Sequence, residues 1–223
     1  KEGYENKVFY VWFDSPWAYV SISQAANERW ADWWHGGDDV HYTQFMGKDN
    51  VSFHSIFFPS QELAMNDNWK TVDVLKGMNF LNFNGSKISK STGNGIFLND
   101  AIRELPADYW RYALIASAPE TDDTDFTIGR FAEIVNKDLN GMLGNFVSRV
   151  CKLTQKNFGN NVPNAGELDT VLVDEINQKL AELTGALDAC EFRASVAALR
   201  GLYAIGNEYM TKMEPWALVK NGD

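Results

Sequence analysis

The stretch 40-VHYTQFMGKDNVSFHSIFFPSQEL-63 establishes the fold class of this 223-residue chain. Its first seven residues, 40–46, are rich in β-branched and aromatic side chains, which predicts a strand. The tight turn 47-GKDN-50 follows, and helical signals continue from it to about Leu63. A strand, a short turn and a helix in succession predict a parallel sheet with crossover helices. Ligands of such sheets gather at the carboxyl ends of the strands, where this turn lies.

The same order of elements opens the chain. Residues 7-KVFYVWF-13 predict a buried strand, and the turn 14-DSP-16 follows with Asp14 or Ser15 as the helix cap. A helix is then predicted over residues 17–30. The first part of the chain therefore reads as α/β.

The remainder of the chain is mostly helical in pattern. A hairpin turn is predicted at Asn84-Gly85, and a helix over residues 107–117. The acidic, proline-containing segment 118–126 is interpreted as a linker between domains. Beyond it, apolar residues recur at three- and four-residue steps to Val150, which predicts a long amphipathic helix. Two further helices, over 168–189 and 191–213, complete a predicted helical bundle.

Composition limits the classes of function. Apolar residues make up 45% and charged residues 22% of the chain, which is typical of a globular domain. No run approaches eighteen apolar residues and no secretory leader is present, so we expect a cytoplasmic protein without a membrane partner. Cys151 and Cys190 are too few and too far apart for a zinc site, and no metal-binding residues are predicted. The net charge of −10 disfavours nucleic-acid binding without excluding a local contact.

The loop 82-NFNGSKISKSTGNG-95 concentrates two lysines and three serines in this acidic chain. One interpretation is an ordinary solvated turn. The other is an anion site, because Lys87 and Lys90 can converge on phosphates with hydroxyl groups beside them. Such a group stabilises the charge that develops during phosphoryl or nucleotidyl transfer.

Five motifs together resemble one family. The string 87-KISKS-91 resembles the KMSKS signature of class I aminoacyl-tRNA synthetases, with Ile88 in place of Met. The stretches 11-VWFDSPWAY-19 and 45-FMGKDNVSFHS-55 resemble segments of the methionyl-tRNA synthetases. Near the end, 145-NFVSR-149 and 215-PW-216 match that family's anticodon-binding domain. The resemblance implies a Rossmann-like remnant of the catalytic domain over residues 1–120 and an all-α helical-bundle anticodon-binding domain over 121–223.

The resemblance also implies a methionine pocket. Aromatic edges suit a polarizable thioether, whereas core packing is the alternative role for Trp12 and Tyr19, and a structural histidine is the alternative for His54. Ser15 and Asn50 stand where many members have Ala and Ile, and we interpret both as subgroup variation. The residues implied to bind methionine are Trp12, Ser15, Pro16, Tyr19, Asn50 and His54.

For ATP, the resemblance implies that Asp49 accepts hydrogen bonds from the ribose, although Asp49 could simply cap the next helix. Lys87 and Lys90 are implied to be catalytic and to hold the phosphates, with Ser89 and Ser91 beside them. Mg²⁺ is expected to accompany ATP. Zinc is expected, if anywhere, only in an upstream part of such a protein.

In the helical part, the resemblance implies that Asn145, Arg149 and Trp216 read the CAU anticodon of tRNA(Met). The tryptophan offers a stacking platform, while the amide and guanidinium groups can bond the base edges. Without the resemblance, Asn145 and Arg149 would be a surface pair and Trp216 a core anchor. Reading a single-stranded loop needs few charges, which fits the acidic composition.

The function implied is ATP-dependent activation of methionine and its attachment to tRNA. The motif H-x-G-H of class I synthetases does not occur in these residues, nor does the family's zinc-knuckle region. We therefore expect the isolated chain to be inactive or nearly so. Two alternatives stay open, a non-catalytic RNA-binding module and another class I synthetase, such as a leucine- or valine-specific one.

Overall fold

The computed structural model describes residues 2–8, 10–159, 161–164 and 166–221. It divides into two compact units, Lys1–Phe80 and Leu81–Asp223. The helices of unit 1 are α1 (Ala18–Ala26), α2 (Trp30–Trp34) and α3 (Phe58–Met65), and its strands are β1 (Thr43–Gly47) and β2 (Val74–Met78). In the described part of the chain, no helix is both long enough and apolar enough to cross a membrane.

A parallel pair of strands organises unit 1. β1 and β2 pair in register from Thr43 opposite Val74 to Gly47 opposite Met78. The connection between them is a short 3-10 turn, Lys48–Asn50, then a π-helical turn, Phe53–Phe57, and then α3. The predicted strand, turn and helix over residues 40–63 are thereby confirmed, as is the crossover between parallel strands.

The core of unit 1 is aromatic. Phe58 and Trp34 are buried, and Trp17 meets Phe58 edge-on at 5.3 Å between ring centroids. Trp17 also meets Trp69 edge-on at 5.1 Å. Edge-to-face geometry is the arrangement that aromatic quadrupoles favour, so these rings hold α1, α2 and α3 together by shape as well as by area.

The predicted strand over residues 7–13 is wrong. Of these residues the structure describes all but Phe9, and it places a 3-10 turn at Val11–Phe13 with no strand. Within the described residues β1 and β2 pair only with each other, so this segment has no strand beside it with which to pair. Val8 is accordingly 92% exposed. The predicted helix over 17–30 is shorter than expected, because Asn27 is extended and ends α1.

Unit 2 begins with a small sheet in the order β4-β3-β5. Its strands are β3 (Leu81–Phe83), β4 (Ser86–Lys87) and β5 (Thr124–Phe126). Asn84 and Gly85 connect β3 to β4 with φ angles of 50° and 74°. Positive φ at both positions is what a two-residue hairpin turn requires, so the predicted turn is confirmed.

The segment 118–126 is not the unpacked linker that its composition suggested. Its last residues form β5, which pairs in parallel with β3, and Phe126 is buried against Phe131 and Ala113. Composition misled because three acidic residues, Asp122, Asp123 and Asp125, precede a single buried aromatic residue. The domain boundary near residue 120 remains a prediction.

Helices make up the rest of unit 2, and the predicted long helix is confirmed. It runs without a break over residues 128–158, as α6, a π-helical segment and α7 in turn. Thr127 caps it, since the threonine Oγ1 accepts a hydrogen bond from the Arg130 amide at 3.1 Å. The helical elements of unit 2 are α4 (Leu98–Glu104), α5 (Ala107–Ala116), α6 (Ile128–Ile134), the π-helical segment Val135–Gly144, α7 (Asn145–Phe158), α8 (Thr170–Asp188), α9 (Phe192–Met213) and α10 (Pro215–Asn221).

Candidate functional site

A hydrogen-bonded chain joins three of the predicted methionine-binding residues in unit 1. Nδ1 of His54 lies 2.8 Å from the carbonyl oxygen of Asn50, and Nε2 lies 2.9 Å from the hydroxyl of Tyr19. A carbonyl oxygen can only accept, so Nδ1 carries the proton. In the neutral imidazole, Nε2 then accepts from Tyr19. His54 is only 4% exposed, whereas Tyr19 is 42% exposed, so the contact links a buried ring to one that reaches the surface.

The other predicted pocket residues make their contacts with residues near these hydrogen bonds. The ring of Trp12 stacks on Phe53, the neighbour of His54, at 4.8 Å and 21°. Pro16 is fully buried in the turn before α1. Ser15 donates its hydroxyl to the carbonyl oxygen of Val11 at 2.5 Å, so this departure from alanine is satisfied locally. Asn50 acts on His54 through its backbone, which any residue could supply.

Asp49 lies in the turn at the carboxyl end of β1, and its side chain is exposed. A Cβ atom on Gly47 would stand 2.7 Å from Oδ1 of Asp49. The carboxylate therefore folds back over Gly47, a position that only glycine can fill without displacing it. An exposed acceptor at this place could bond a ligand's hydroxyl group.

In unit 2, the lysine loop is held by a residue that the sequence did not single out. Nδ2 of Asn94 donates to the carbonyl oxygen of Lys87 at 2.9 Å, and it also lies within hydrogen-bonding distance of the Ser86 and Phe83 carbonyl oxygens. The Ser89 and Asn94 backbones exchange two bonds, of 2.9 and 3.1 Å. An asparagine between Gly93 and Gly95 was the available signal for this clip.

The loop presents its charged groups outward. Lys87 and Lys90 are exposed, and the hydroxyl groups of the neighbouring Ser89 and Ser91 lie 3.1 Å from each other. Gly95 has a φ of 147°, and a Cβ there would meet Cγ2 of Ile88 at 3.2 Å. The glycine thus lets the chain close behind the lysines.

The helical part brings together two of its three predicted residues. The guanidinium carbon of Arg149 lies 5.5 Å from the ring centroid of Trp216, a cation–π distance. Trp216 is 44% exposed, so it is not the core anchor that its sequence alone would suggest. Asn145 is exposed at the start of α7, one turn before Arg149.

One buried acid in unit 1 was missed by sequence reasoning. Glu62 is 2% exposed, and neither of its carboxylate oxygens has a hydrogen-bond partner among the described residues. Burial raises its pKa to about 7. Burial also raises the pKa of Tyr42 to about 12, with a smaller contribution from the charge of Glu62. In the residues that the structure describes, no three His, Cys, Asp or Glu side chains are grouped as metal ligands.

Comparison with known proteins agrees with the arrangement of these motifs. The family model described as tRNA synthetases class I (M) matches residues 2–151, and the anticodon binding domain of methionyl tRNA ligase matches residues 161–223. A methionine–tRNA ligase of Caulobacter sp. (strain K31) is 45% identical over 99% of this chain and 41% of its own length. The ligase of Streptomyces avermitilis is 45% identical over 97% of this chain and 40% of its own length.

Solved structures give the same result. Mycobacterium tuberculosis methionyl-tRNA synthetase bound by methionyl-adenylate matches 95% of this chain and 41% of its own, at 26% identity with a TM-score of 0.78. The chain thus spans about two fifths of the length of the curated relatives that it matches. Its α/β first part and helical last part are those of the matched models, and the chain belongs to the class I tRNA synthetase family of the methionine type.

Proposed function

We propose that this chain is part of a methionine–tRNA ligase. The whole protein would join methionine to ATP, forming methionyl-adenylate and pyrophosphate, and would then transfer the methionyl group to tRNA. The observation that carries the proposal is the hydrogen-bonded chain from Tyr19 through His54 to Asn50. It ties together the two sequence stretches that resemble the family's methionine pocket. The cytoplasm, as the compartment, belongs to the same proposal.

In this proposal, unit 1 holds the methionine side chain and part of the nucleotide. Tyr19 and His54 hold each other rigidly, and the face of the Trp12 ring supplies a surface for a thioether. Pro16 makes the turn before α1 rigid, while Ser15 and Asn50 complete the pocket wall. Asp49, exposed at the end of β1, accepts from the ribose hydroxyl groups.

Unit 2 supplies the phosphate-binding loop. Lys87 and Lys90 bind the triphosphate and stabilise the negative charge on the departing pyrophosphate, while Ser89 and Ser91 donate from their hydroxyl groups. In the same proposal, Mg²⁺ accompanies ATP and is coordinated by its phosphates. A zinc ion would belong to an upstream part of the protein.

The end of the chain would read the anticodon of tRNA(Met). Trp216 offers an exposed ring on which an unstacked base can lie, and Arg149 is already placed beside that ring. Asn145, one turn away on α7, adds an amide that can bond a base edge.

A chimera tests the catalytic part of the proposal. The upstream part of the Caulobacter relative is joined ahead of Lys1, and methionine-dependent ATP–pyrophosphate exchange is measured. The chimera is expected to exchange, and residues 1–223 alone are not, because H-x-G-H does not occur in them. Leucine or valine supporting exchange better than methionine would overturn the assignment of the amino acid. Exchange by the 223 residues alone would overturn their predicted inactivity.

A further inference from the structure

In unit 2, α9 runs alongside the long helix over residues 128–158, and contacts join the two along most of their shared length. Three of the contacts join a residue on one helical rod to a residue on the other, and the fourth joins Arg149 to Trp216, which lies on α10 shortly after the end of α9. From the first contact to the last the residue numbers rise on both rods, with neighbouring residues 206 and 207 making the two middle contacts, so the rods run in the same direction. The contacts are Asp138 with Arg200, Met142 with Asn207, Phe146 with Gly206, and Arg149 with Trp216.

The first contact is a buried ion pair. Asp138 is fully buried, and its Oδ2 accepts from Arg200 at 2.8 Å from Nε and 2.6 Å from Nη2. The hydroxyl of Tyr112, on α5, donates to the same oxygen at 3.0 Å. Oδ1 has no hydrogen-bond partner among the described residues. All the polar contacts of this carboxylate thus converge on one oxygen, which fixes its place closely.

The next two contacts tighten the same alignment. Nδ2 of Asn207 donates to the carbonyl oxygen of Met142 at 3.0 Å, and the backbone amide of Asn145 donates to the same oxygen. A Cβ atom on Gly206 would stand 2.9–3.1 Å from the ring of Phe146. The rods therefore approach closely here, and neither can slide or rotate without breaking a specific contact.

A buried ion pair usually adds little stability over a well-packed apolar pair, and its best-attested use is to select one register among alternatives. Arg149 lies 11 residues beyond Asp138, about 16 Å along the rod at 1.5 Å per residue. Trp216 follows α9 after Glu214, whose φ of 42° turns the chain. A slip of one residue would move Arg149 by about 1.5 Å and turn it by about 100°, away from the Trp216 ring.

We propose that Asp138, Arg200 and Asn207 are positioning residues that set the register between the two rods and so bring Arg149 and Trp216 together. The inference rests on the proposed function for the role of that pair in reading RNA. The contact itself can be tested without RNA.

The first test observes Trp216 directly. The chain is labelled with 5-fluorotryptophan, and the ¹⁹F resonance of Trp216 is assigned by its loss in Trp216→Phe among the eight tryptophans. Asp138→Asn is expected to shift or broaden this resonance. The matched control is Arg111→Met, which removes the exposed ion pair of Arg111 with Asp108 and should leave the resonance in place.

The second test uses a variant designed to fold. Asp138→Leu, Arg200→Met and Tyr112→Phe together replace the buried polar groups with apolar ones, a change that stability usually tolerates. At a temperature where the variant is folded, its preference for a CAU hairpin over an altered anticodon is expected to fall at least about fivefold, the usual scale for one lost base contact.

The outcomes separate the two claims. If the folded triple variant keeps both the Trp216 resonance and the CAU preference, the positioning role is overturned. If it does not fold, the role is also overturned, because the network would then hold the fold rather than the register. If the unmodified chain shows no CAU preference, the RNA-reading function fails, while the ¹⁹F shift still decides the positioning role.

Discussion

The hydroxyl of Tyr19 lies 2.9 Å from Nε2 of His54, although the two residues are separated by 35 positions in the chain. The contact joins α1 to the π-helical turn before α3. The carbonyl oxygen of Asn50 accepts a hydrogen bond from the other ring nitrogen of His54 and so fixes the orientation of that ring. The geometry of the contact requires both ring orientations to be fixed before a ligand arrives. A pocket built on this pair is preorganised.

Removing the Tyr19 hydroxyl tests this relationship. Tyr19→Phe leaves Nε2 of a buried histidine unpaired, so the free energy of unfolding of unit 1 should fall by about 1–3 kcal/mol. In the chimera, the KM for methionine should rise. Tyr10→Phe, which alters an exposed ring in the same unit, is the control. Unchanged stability and KM in Tyr19→Phe would contradict a role for the pair.

The raised pKa of Glu62 predicts that the free energy of unfolding depends on pH in an unusual direction. The carboxyl group loses its proton near pH 4.5 in the unfolded chain and at about pH 7 in the folded one. Between these values the folded state binds more protons, so the free energy of unfolding should decrease as the pH rises, by on the order of 3 kcal/mol in total. Above pH 7 this contribution becomes constant.

Urea unfolding of the wild-type chain and Glu62→Gln between pH 5 and 8 measures this effect. Six of the eight tryptophans lie in unit 1, so their fluorescence reports chiefly on that unit. The variant should lose the downward slope and be the more stable protein at pH 8. Parallel slopes in the two proteins would show that Glu62 does not titrate in this range.

Replacing Lys90 tests the proposed catalytic role of the lysine loop. In the chimera, Lys90→Ala should lower the rate of ATP–pyrophosphate exchange by about 10²–10³-fold, because a group aimed at developing charge is lost. Lys152→Ala, an exposed lysine on α7, serves as the control. A Lys90 variant with the control's exchange rate would remove this lysine from the mechanism.

Asn94 tests how the loop is held. Asn94→Ala removes the side-chain bonds to the Lys87, Ser86 and Phe83 carbonyls, so amide hydrogen exchange at Ser89 and Asn94 should become faster. Asn99→Ala, which alters an exposed asparagine on α4, is the matched control. Equal protection in the Asn94 variant and the wild-type chain would mean that the backbone bonds alone hold the loop.

The sequence correctly predicted the elements that local residue patterns specify. The hairpin at Asn84-Gly85 follows from turn chemistry, and the long helix over residues 128–158 follows from its apolar period. The prediction of a strand over residues 7–13 was wrong, because a β-branched run forms a strand only where another strand pairs with it. The local sequence of a segment does not show whether such a partner exists. The burial of Phe126 was likewise not predicted, because it depends on the pairing of β5 with β3, which the acidic sequence around it does not indicate.

The candidate site shows the same division. Lys87 and Lys90 are predicted from their spacing and the pocket residues from their motifs, and the roles of both sets stay predictions. Asn94 offered only its position between two glycines as a signal, because its three carbonyl partners are set by the folded loop. Glu62 offered no signal, because its burial without a described partner is a property of the fold. The contact of Arg149 with Trp216 likewise depends on the alignment of two rods that are distant in sequence.

Binding of tRNA hairpins tests the assignment to a methionine–tRNA ligase most directly. The affinity of the 223-residue chain is measured for two hairpins that differ only in the anticodon, CAU or an altered triplet. The CAU hairpin should bind at least about tenfold more tightly, and Trp216→Ala should abolish that difference, because stacking on an aromatic ring contributes about 1–3 kcal/mol per base. Equal affinity of the unmodified chain for both hairpins would contradict it.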